Sequence, residues 1–481
     1  MAVAASPLAR GLAGPLRGVA LALVISLGLM LAGCASLPAR GGLTAPASKA
    51  DTKALAQSLE MTGSNGRRLT PAQRDQALKR IAAQGSPTLL QRHLAVMAAS
   101  GDVDLYTGNE VKLLVDGPAT FAAMFAAAEA ARDYILLESY IIEDSSVANR
   151  MSDVLLRKRA QGVPVFVIYD SLGSLGTSKE YFARLVQAGI GVCAFNPINP
   201  LGRPGYWSIN HRDHRKILVV DGLQGFVGGI NISEVYSSGS FAAGRSKRDG
   251  KKEGWRDTQI GLRGPAVIPL EKMVRQVWAS QGCAPALPQA VPRAAGAAGD
   301  KVVRIIPSGP DEPDSRIYST LLSAIDAAQQ SVHLTMAYFA PGPDMVAALC
   351  DAARRGVDVT LILPSISDFT LILEAGRSYY TELLAAGVKV HELQDALLHA
   401  KTAVIDGVFS TVGSSNLDWR SFVANNEVNA IVLGEDFGAQ MEAMFKRDLG
   451  VSTPVTAQSW KERPAHRRLK EWLGRVFERW L

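Results

Sequence analysis

The chain has 481 residues, 47% of them hydrophobic and 20% charged, with a formal net charge of +6. That apolar content fills large cores, excludes a disordered polymer and allows about two or three domains. The mild positive charge suits contact with anionic lipid or with nucleic acid and does not choose between them.

At the N-terminus, Arg10 and Arg17 precede an uncharged apolar run, 19–32, that meets Leu31-Ala32-Gly33-Cys34. The run is shorter than the ~20 residues a spanning helix needs. A charged start, a short apolar stretch and small residues before a cut site describe a secretory leader over residues 1–33. The LAGC tetrapeptide resembles a bacterial lipobox, which implies cleavage before Cys34 and acylation of that cysteine. An uncleaved apolar anchor is the alternative. Either way, the chain is expected to be exported to the periplasmic side and tethered to a membrane. Firm attachment takes more than one acyl chain, and Ala35, where an Asp would signal inner-membrane retention, favours the outer membrane. Cys193, Cys283 and Cys350 lack metal-ligand spacing and lie in or beside apolar segments, so they read as buried thiols, with one disulfide left open.

Residues 34–106 read as a tether followed by helical segments. From 107 to 283, apolar strands at 111–114, 134–142, 163–169 and 191–195 alternate with helices at 121–132 and 148–161, the pattern of an α/β fold with a mixed or parallel sheet. A Pro/Ala/Gly-rich linker spans 284–300. Over 301–450 the programme restarts: strand 302–306, helix 317–330, strand 332–339, helix 344–355, strand 357–363. AQGVPVFVIYDS matches RRGVDVTLILPS, and AGIGV matches AGVKV, so the halves are internal repeats. One insertion, 195–210, has no counterpart in the second half; its Tyr206 and Trp207 suggest an ordered loop at the mouth of a site.

Each repeat carries one motif: HRKILVVDGLQGFVGGIN at 214–231 and HAKTAVIDGVFSTVGSSN at 399–416. His, Lys, Asp and Asn fall at the same relative positions in both. With seven His in the chain, one chance occurrence is roughly a percent-level event, and two at matching places are no accident. Residues i and i+2 of a strand face one side, so His214 and Lys216 point together, as do His399 and Lys401. The two lysines and two asparagines, Asn231 and Asn416, donate hydrogen bonds and form a cradle for phosphate oxygens, with Ser414 beside them. One neutral histidine can attack phosphorus while the other, protonated, donates to the departing alcohol. The cationic cradle supplies the charge a divalent metal would otherwise contribute, so no metal or other cofactor is expected.

At these residues the chain resembles the phospholipase D superfamily, whose hallmark is a pair of HxKxxxxD motifs with a trailing GxxN. The resemblance covers about residues 107–449. It implies two repeated α/β/α sandwich domains packed together around one shared active site, and a covalent phosphohistidine. The residues it implies are His214, Lys216 and Asp221 with His399, Lys401 and Asp406. It also implies a later carboxylate orienting each histidine, for which Asp257 and Glu427 stand in the matching segments. The motif aspartates are expected to support strand and turn. One departure is Gly228-Gly229 where the family often has Gly-Ser; the second copy keeps Gly413-Ser414, so the halves should differ in role. Through NHRDHRKILVVDG and GSSNLDWRSFVANNEV the resemblance is closest to bacterial cardiolipin synthases, which implies phosphatidyl transfer between phospholipids with phosphatidylglycerol as acceptor. Hydrolysis of phospholipids by the same route is the first alternative, with nucleic acid not expected as a partner. A catalytically silent lipid-binding lipoprotein is the second.

Two basic features suit an anionic phospholipid membrane. GRSKRDGKK, 244–252, is either a solvated loop or a headgroup contact. The tail, 451–481, ends in a basic amphipathic helix: Leu469, Trp472, Leu473, Val476, Phe477, Trp480 and Leu481 make one stripe opposite Arg467, Arg468, Lys470, Arg475 and Arg479. Such a helix either lies in a membrane interface or docks on the protein's own core.

Overall fold

The computed structural model describes residues 54–56, 58–83, 85–99, 104–199, 210–240, 254–289, 297–311 and 315–480. The leader, Cys34, Tyr206 with Trp207, the basic run 244–252 and linker residues 290–296 lie outside them.

A short strand β1 (Glu60–Thr62) precedes helices α1 (Pro71–Ala82) and α2 (Pro87–Ala99). The first half then runs β2 (Asp104–Val115), α3 (Asp116–Ala130), β3 (Ile135–Ser139), α4 (Ser146–Ala160), β4 (Val165–Asp170), α5 (Lys179–Gln187) and β5 (Gly191–Phe195). It finishes with β6 (Arg212–Asp213), β7 (Lys216–Val220), β8 (Gln224–Gly228), β9 (Thr258–Arg263) and α6 (Val267–Ser280). Parallel β5, β4 and β3 continue into antiparallel β7, β8, β9 and β2, in that order.

The second half repeats the pattern with β10 (Lys301–Ser308), α7 (Arg316–Ala327), β11 (Ser331–Met336), α8 (Gly342–Arg354), β12 (Asp358–Pro364), α9 (Thr370–Arg377), α10 (Tyr380–Ala385) and β13 (Lys389–Leu393). Then come β14 (Lys401–Ile405), β15 (Phe409–Gly413), α11 (Trp419–Val423), β16 (Asn425–Leu433) and α12 (Glu435–Gly450). Its strand order, β13-β12-β11-β14-β15-β16-β10, copies the first. Residues 451–461 are not free tail: β17 (Ser452–Val455) adds to the edge of β13, and α13 (Ala457–Lys461) follows it. The chain finishes with α14 (Ala465–Phe477) and a single 3₁₀ turn, Glu478–Trp480.

Alternation within the strands sorts side chains into layers. In β3, Ile135 and Leu137 face the outer helices, where Phe121, Met151 and Leu185 pack on them. Leu136, between them, faces the inner layer, with Leu270 and Trp278 of α6 and Met441 and Met444 of α12. That inner core also takes Val303, Val404 and Val428 from the second sheet, so the two halves share one apolar interior. Strand β2 joins the sheets directly. Its later residues pair with β9, and its earlier ones with β10 and β1.

The expectation of unpaired thiols needs correction. Cys193, on β5, and Cys283, just after α6, form a disulfide with Cα atoms 5.7 Å apart; among the described residues Cys350 alone is free, and it is buried. Both partners sit in apolar surroundings, which is why sequence context read them as inert. Among the described residues no helix is long and apolar enough to cross a membrane. Because the bridge closes a loop of 90 residues, Cys283→Ser is expected to cost about 2–4 kcal/mol of stability. Urea unfolding with and without reductant checks this: the wild type should lose stability on reduction and the variant should not respond.

Candidate active site

Each motif histidine lies where the backbone of one half pairs with that of the other. Strand β6 runs parallel to the start of β16, with Arg212 opposite Asn425 and Asp213 opposite Asn426, and the His214 amide donates to the Asn426 carbonyl at 3.0 Å. The arrangement recurs with the halves exchanged. The Arg256 amide donates to the Leu397 carbonyl at 2.9 Å, and the His399 amide to the Arg256 carbonyl at 2.8 Å. In both places the next residue along the partner strand is an acid, so the pairing delivers a carboxylate to the imidazole. His214 Nδ1 lies 2.9 Å from Glu427 Oε1, and His399 Nδ1 lies 2.7 Å from Asp257 Oδ2. Each histidine is therefore oriented by the opposite half. An Nδ1–H held by a carboxylate leaves Nε2 as the reactive nitrogen.

Burial sets the charge states. Glu427 and Asp257 are wholly buried, while His214 and His399 retain 8% and 6% of their surface, enough for a narrow opening. Burial pushes both imidazoles toward their neutral form, and the Lys216 and Lys401 charges reinforce the effect. At His399 the Asp257 carboxylate offsets part of it. Burial likewise pushes Glu427 up to about 7, Lys216 down to about 7 and Lys401 down to about 8. Lys216 Nζ donates to the His214 carbonyl at 2.6 Å, and Lys401 Nζ contacts His399 Nδ1 at 2.9 Å and donates to its carbonyl. Both ammonium groups thus stand beside the histidines they follow by two residues.

Aromatic side chains wall the site. The Tyr140 ring is 4.8 Å from that of His214, Trp255 is 5.2 Å from His399, and Tyr338 is 6.4 Å from His399. Tyr236, absent from the sequence reading, places its hydroxyl 3.1 Å from His399 Nδ1, and Asn231 Nδ2 reaches that hydroxyl at 3.3 Å. Asn231 Oδ1 accepts from the Ile141 amide at 3.1 Å. Asn416 is buried, and its Oδ1 has no hydrogen-bond partner among the described residues. Arg256 was also missed: its guanidinium holds Asp448 at 2.9 and 2.8 Å and Asp116 at 3.4 Å, locking the strand that presents Asp257. Only its adjacency to Asp257 could have drawn attention to it.

The geometry bears on two expectations. Ser414 is not free to meet phosphate: its hydroxyl donates to Glu427 Oε2 at 2.5 Å and accepts from the Val428 amide at 3.0 Å. In the first half the matching residue is Gly229, and a Cβ there would come within 2.2 Å of Asp257 Oδ1. The shorter acid needs glycine to let it approach, whereas the longer one is tethered by a serine. Asp221 and Asp406, grouped with the catalytic residues, do not point at the histidines. Each sits at positive φ, 54° and 53°, at the far end of its motif strand. Asp221 accepts from the amides of Arg132, Asp133 and Tyr134, and Asp406 from those of Gln329, Gln330 and Ser331. Asp406 also meets the buried His93 of α2 at 3.0 Å. Although burial opposes its charge, His93 and the backbone amides hold the Asp406 carboxyl below the usual range. Among the described residues no three His, Cys, Asp or Glu side chains are grouped to hold a metal ion.

Asp221→Asn removes the charge from three backbone hydrogen bonds, and charged bonds contribute about 1.5–3 kcal/mol each. The expected result is a urea midpoint lowered by an amount equal to about 2–4 kcal/mol, with turnover per folded molecule kept within a few fold. Glu427→Gln should do the reverse, melting near the wild type while turnover falls about a hundredfold or more.

Comparison with known proteins agrees with this arrangement. Residues 321–449 match the family described as cardiolipin synthase, PLD-like domain. Cardiolipin synthase 2 of Bacillus cereus is 35% identical over 374 residues, covering 77% of this chain and 70% of that protein. Cardiolipin synthase A of Pseudomonas putida is 35% identical over 380 residues, covering 78% and 75%. Among solved structures, the phosphatidylserine synthase of Haemophilus influenzae Rd KW20 superposes with a TM-score of 0.56 at 12% identity, covering 77% of this chain and 92% of that one, a likeness of fold. The chain belongs to the cardiolipin synthase family, built on phospholipase D-like domains.

Proposed function

We propose that the protein is a phosphatidyltransferase that makes cardiolipin, with phosphatidylglycerol as acceptor and a covalent phosphatidyl-histidine on His214. The observation that carries this reading is the crossed pair of His–carboxylate bonds, which gives one site two imidazoles, each oriented by an acid from the opposite half. Burial favours the neutral imidazole that attack requires, the carboxylate beside each ring supports the protonated form that the other role requires, and the attack is assigned to His214. In the first step His214 Nε2 bonds to phosphorus, the bond from phosphorus to the headgroup oxygen breaks, and that oxygen takes a proton from His399 Nε2. In the second, the acceptor hydroxyl returns a proton to His399, its oxygen bonds to phosphorus, and the P–N bond breaks. Lys216 and Lys401 stabilise the charge that gathers on the non-bridging oxygens.

The same reading places the protein outside the cytoplasm, acylated at Cys34, on the periplasmic side and preferentially at the outer membrane. The Cys193–Cys283 disulfide supports an oxidising compartment.

Incubation of the purified protein with labelled phosphatidylglycerol should give cardiolipin and free glycerol in equal amounts; phosphatidic acid as the sole product would replace transfer by hydrolysis. His214→Ala and His399→Ala should each abolish turnover, and the acid-labile label trapped on the protein should vanish with the first. Isolation of the adduct on His399 would exchange the two roles.

The lysines also fix a pH dependence. With the ammonium form binding the phosphodiester, and Lys216 and Lys401 at about 7 and about 8, kcat/KM should fall as pH rises through that range. A bound anion favours the protonated amines, so the fall in kcat should lie at higher pH than the fall in kcat/KM. Coincident limbs would remove the lysines from charge stabilisation.

A further inference from the structure

The C-terminal helix α14 resolves the choice its sequence posed, because it docks on the protein while leaving its apolar stripe in solvent. Its inward face is polar or small. Glu471 and Gly474 are buried, and Glu471 is clasped by Arg463 at 2.8 Å. A Cβ on Gly474 would lie 2.5 Å from the Ala375 amide nitrogen, so the helix backbone rests directly on α9. In the turn that follows, Glu478 accepts from the Tyr379 hydroxyl at 2.7 Å and from the Gly342 amide at 3.0 Å. The opposite face carries Leu469, Trp472, Leu473, Val476, Phe477 and Trp480, each exposed, Trp472 by 60% and Trp480 by 50%. At about 100° per residue, Lys470 borders this stripe on one side and Arg468, Arg475 and Arg479 on the other.

The stripe adjoins the active site. Ile366 and Phe369, also exposed, lie in the segment leading into α9, on which α14 rests. Between them, Asp368 accepts from the hydroxyl of Tyr338, the residue whose ring faces His399. Arg479 stacks 5.6 Å over Trp419, three residues beyond Asn416. A contiguous apolar surface of this size, left in water, is costly and marks a contact. Its two indoles and flanking cations match an anionic bilayer interface: apolar rings at headgroup depth, positive charge against lipid phosphates. A self-associating face would have no use for cations on both borders, since two copies would bring them together.

We propose that the outward face of α14, with Ile366 and Phe369, seats the protein on an anionic lipid surface and holds the mouth of the active site against the headgroups. The second clause rests on the phosphatidyl-transfer reading, and the test separates the two.

Full-length protein is mixed with vesicles of brominated phosphatidylglycerol in phosphatidylcholine. Bromine should quench part of the tryptophan fluorescence, less so on phosphatidylcholine alone, and that part should disappear in Trp472→Phe/Trp480→Phe, which keeps the apolar face. Absence of quenching in the wild type, or the same quenching in the double variant, overturns the proposal. So does a dimer that shields these tryptophans without vesicles. In Trp472→Asp/Leu473→Asp, turnover of vesicle phosphatidylglycerol should fall about tenfold or more, with turnover of detergent-dispersed lipid unchanged. Equal loss in both formats, or none in either, overturns the link to the mouth. Intact quenching by a wild-type protein that makes no cardiolipin leaves the lipid surface standing and removes the phosphatidyl-transfer reading instead.

Discussion

The active site depends on a reciprocal exchange of main-chain hydrogen bonds between the halves. The His214 segment pairs with the strand bearing Glu427, and the His399 segment pairs with the strand bearing Asp257. Neither half could build the site alone, because in isolation each would own a histidine without its orienting acid and an acid without its histidine. Burying a carboxylate costs several kcal/mol unless it is met by partners. Here each acid is met twice over, by an imidazole and by a serine hydroxyl or a backbone amide. The exchange makes the burial tolerable and so makes the dry, low-dielectric pocket possible.

That symmetry is imperfect in a useful way. Glu427 is long, rises from its strand and is steadied by Ser414; Asp257 is short and approaches Gly229 so closely that no side chain fits there. Tyr236 and Lys401 both lean on His399 Nδ1, whereas among the described residues His214 Nδ1 meets only its carboxylate. Two copies of one motif have diverged into two environments.

Much of this was legible in the sequence, for identifiable reasons. Strands buried on both faces, such as ILLES and VFVIYD, read as continuous apolar runs bounded by helices, and the repeat exposed the duplicated sheet. The histidines and lysines were found because their spacing recurs, and the orienting acids through the resemblance of their segments to the family. What escaped were roles decided by three-dimensional neighbours. Ser414 looked like a phosphate donor until Glu427 occupied its hydroxyl. Tyr236, Arg256 and His93 come from segments with no pattern of their own, and the Cys193–Cys283 pair is separated by 90 residues with nothing local to announce it.

Strand β2 belongs to both sheets, hydrogen-bonded to β9 through one stretch and to β10 through another. A protein joined this way has no hinge: parting the lobes like jaws would tear ladder bonds and split their common interior. Access to the histidines therefore runs past the aromatic rings of Tyr140, Trp255 and Tyr338 and not through a parting of the lobes.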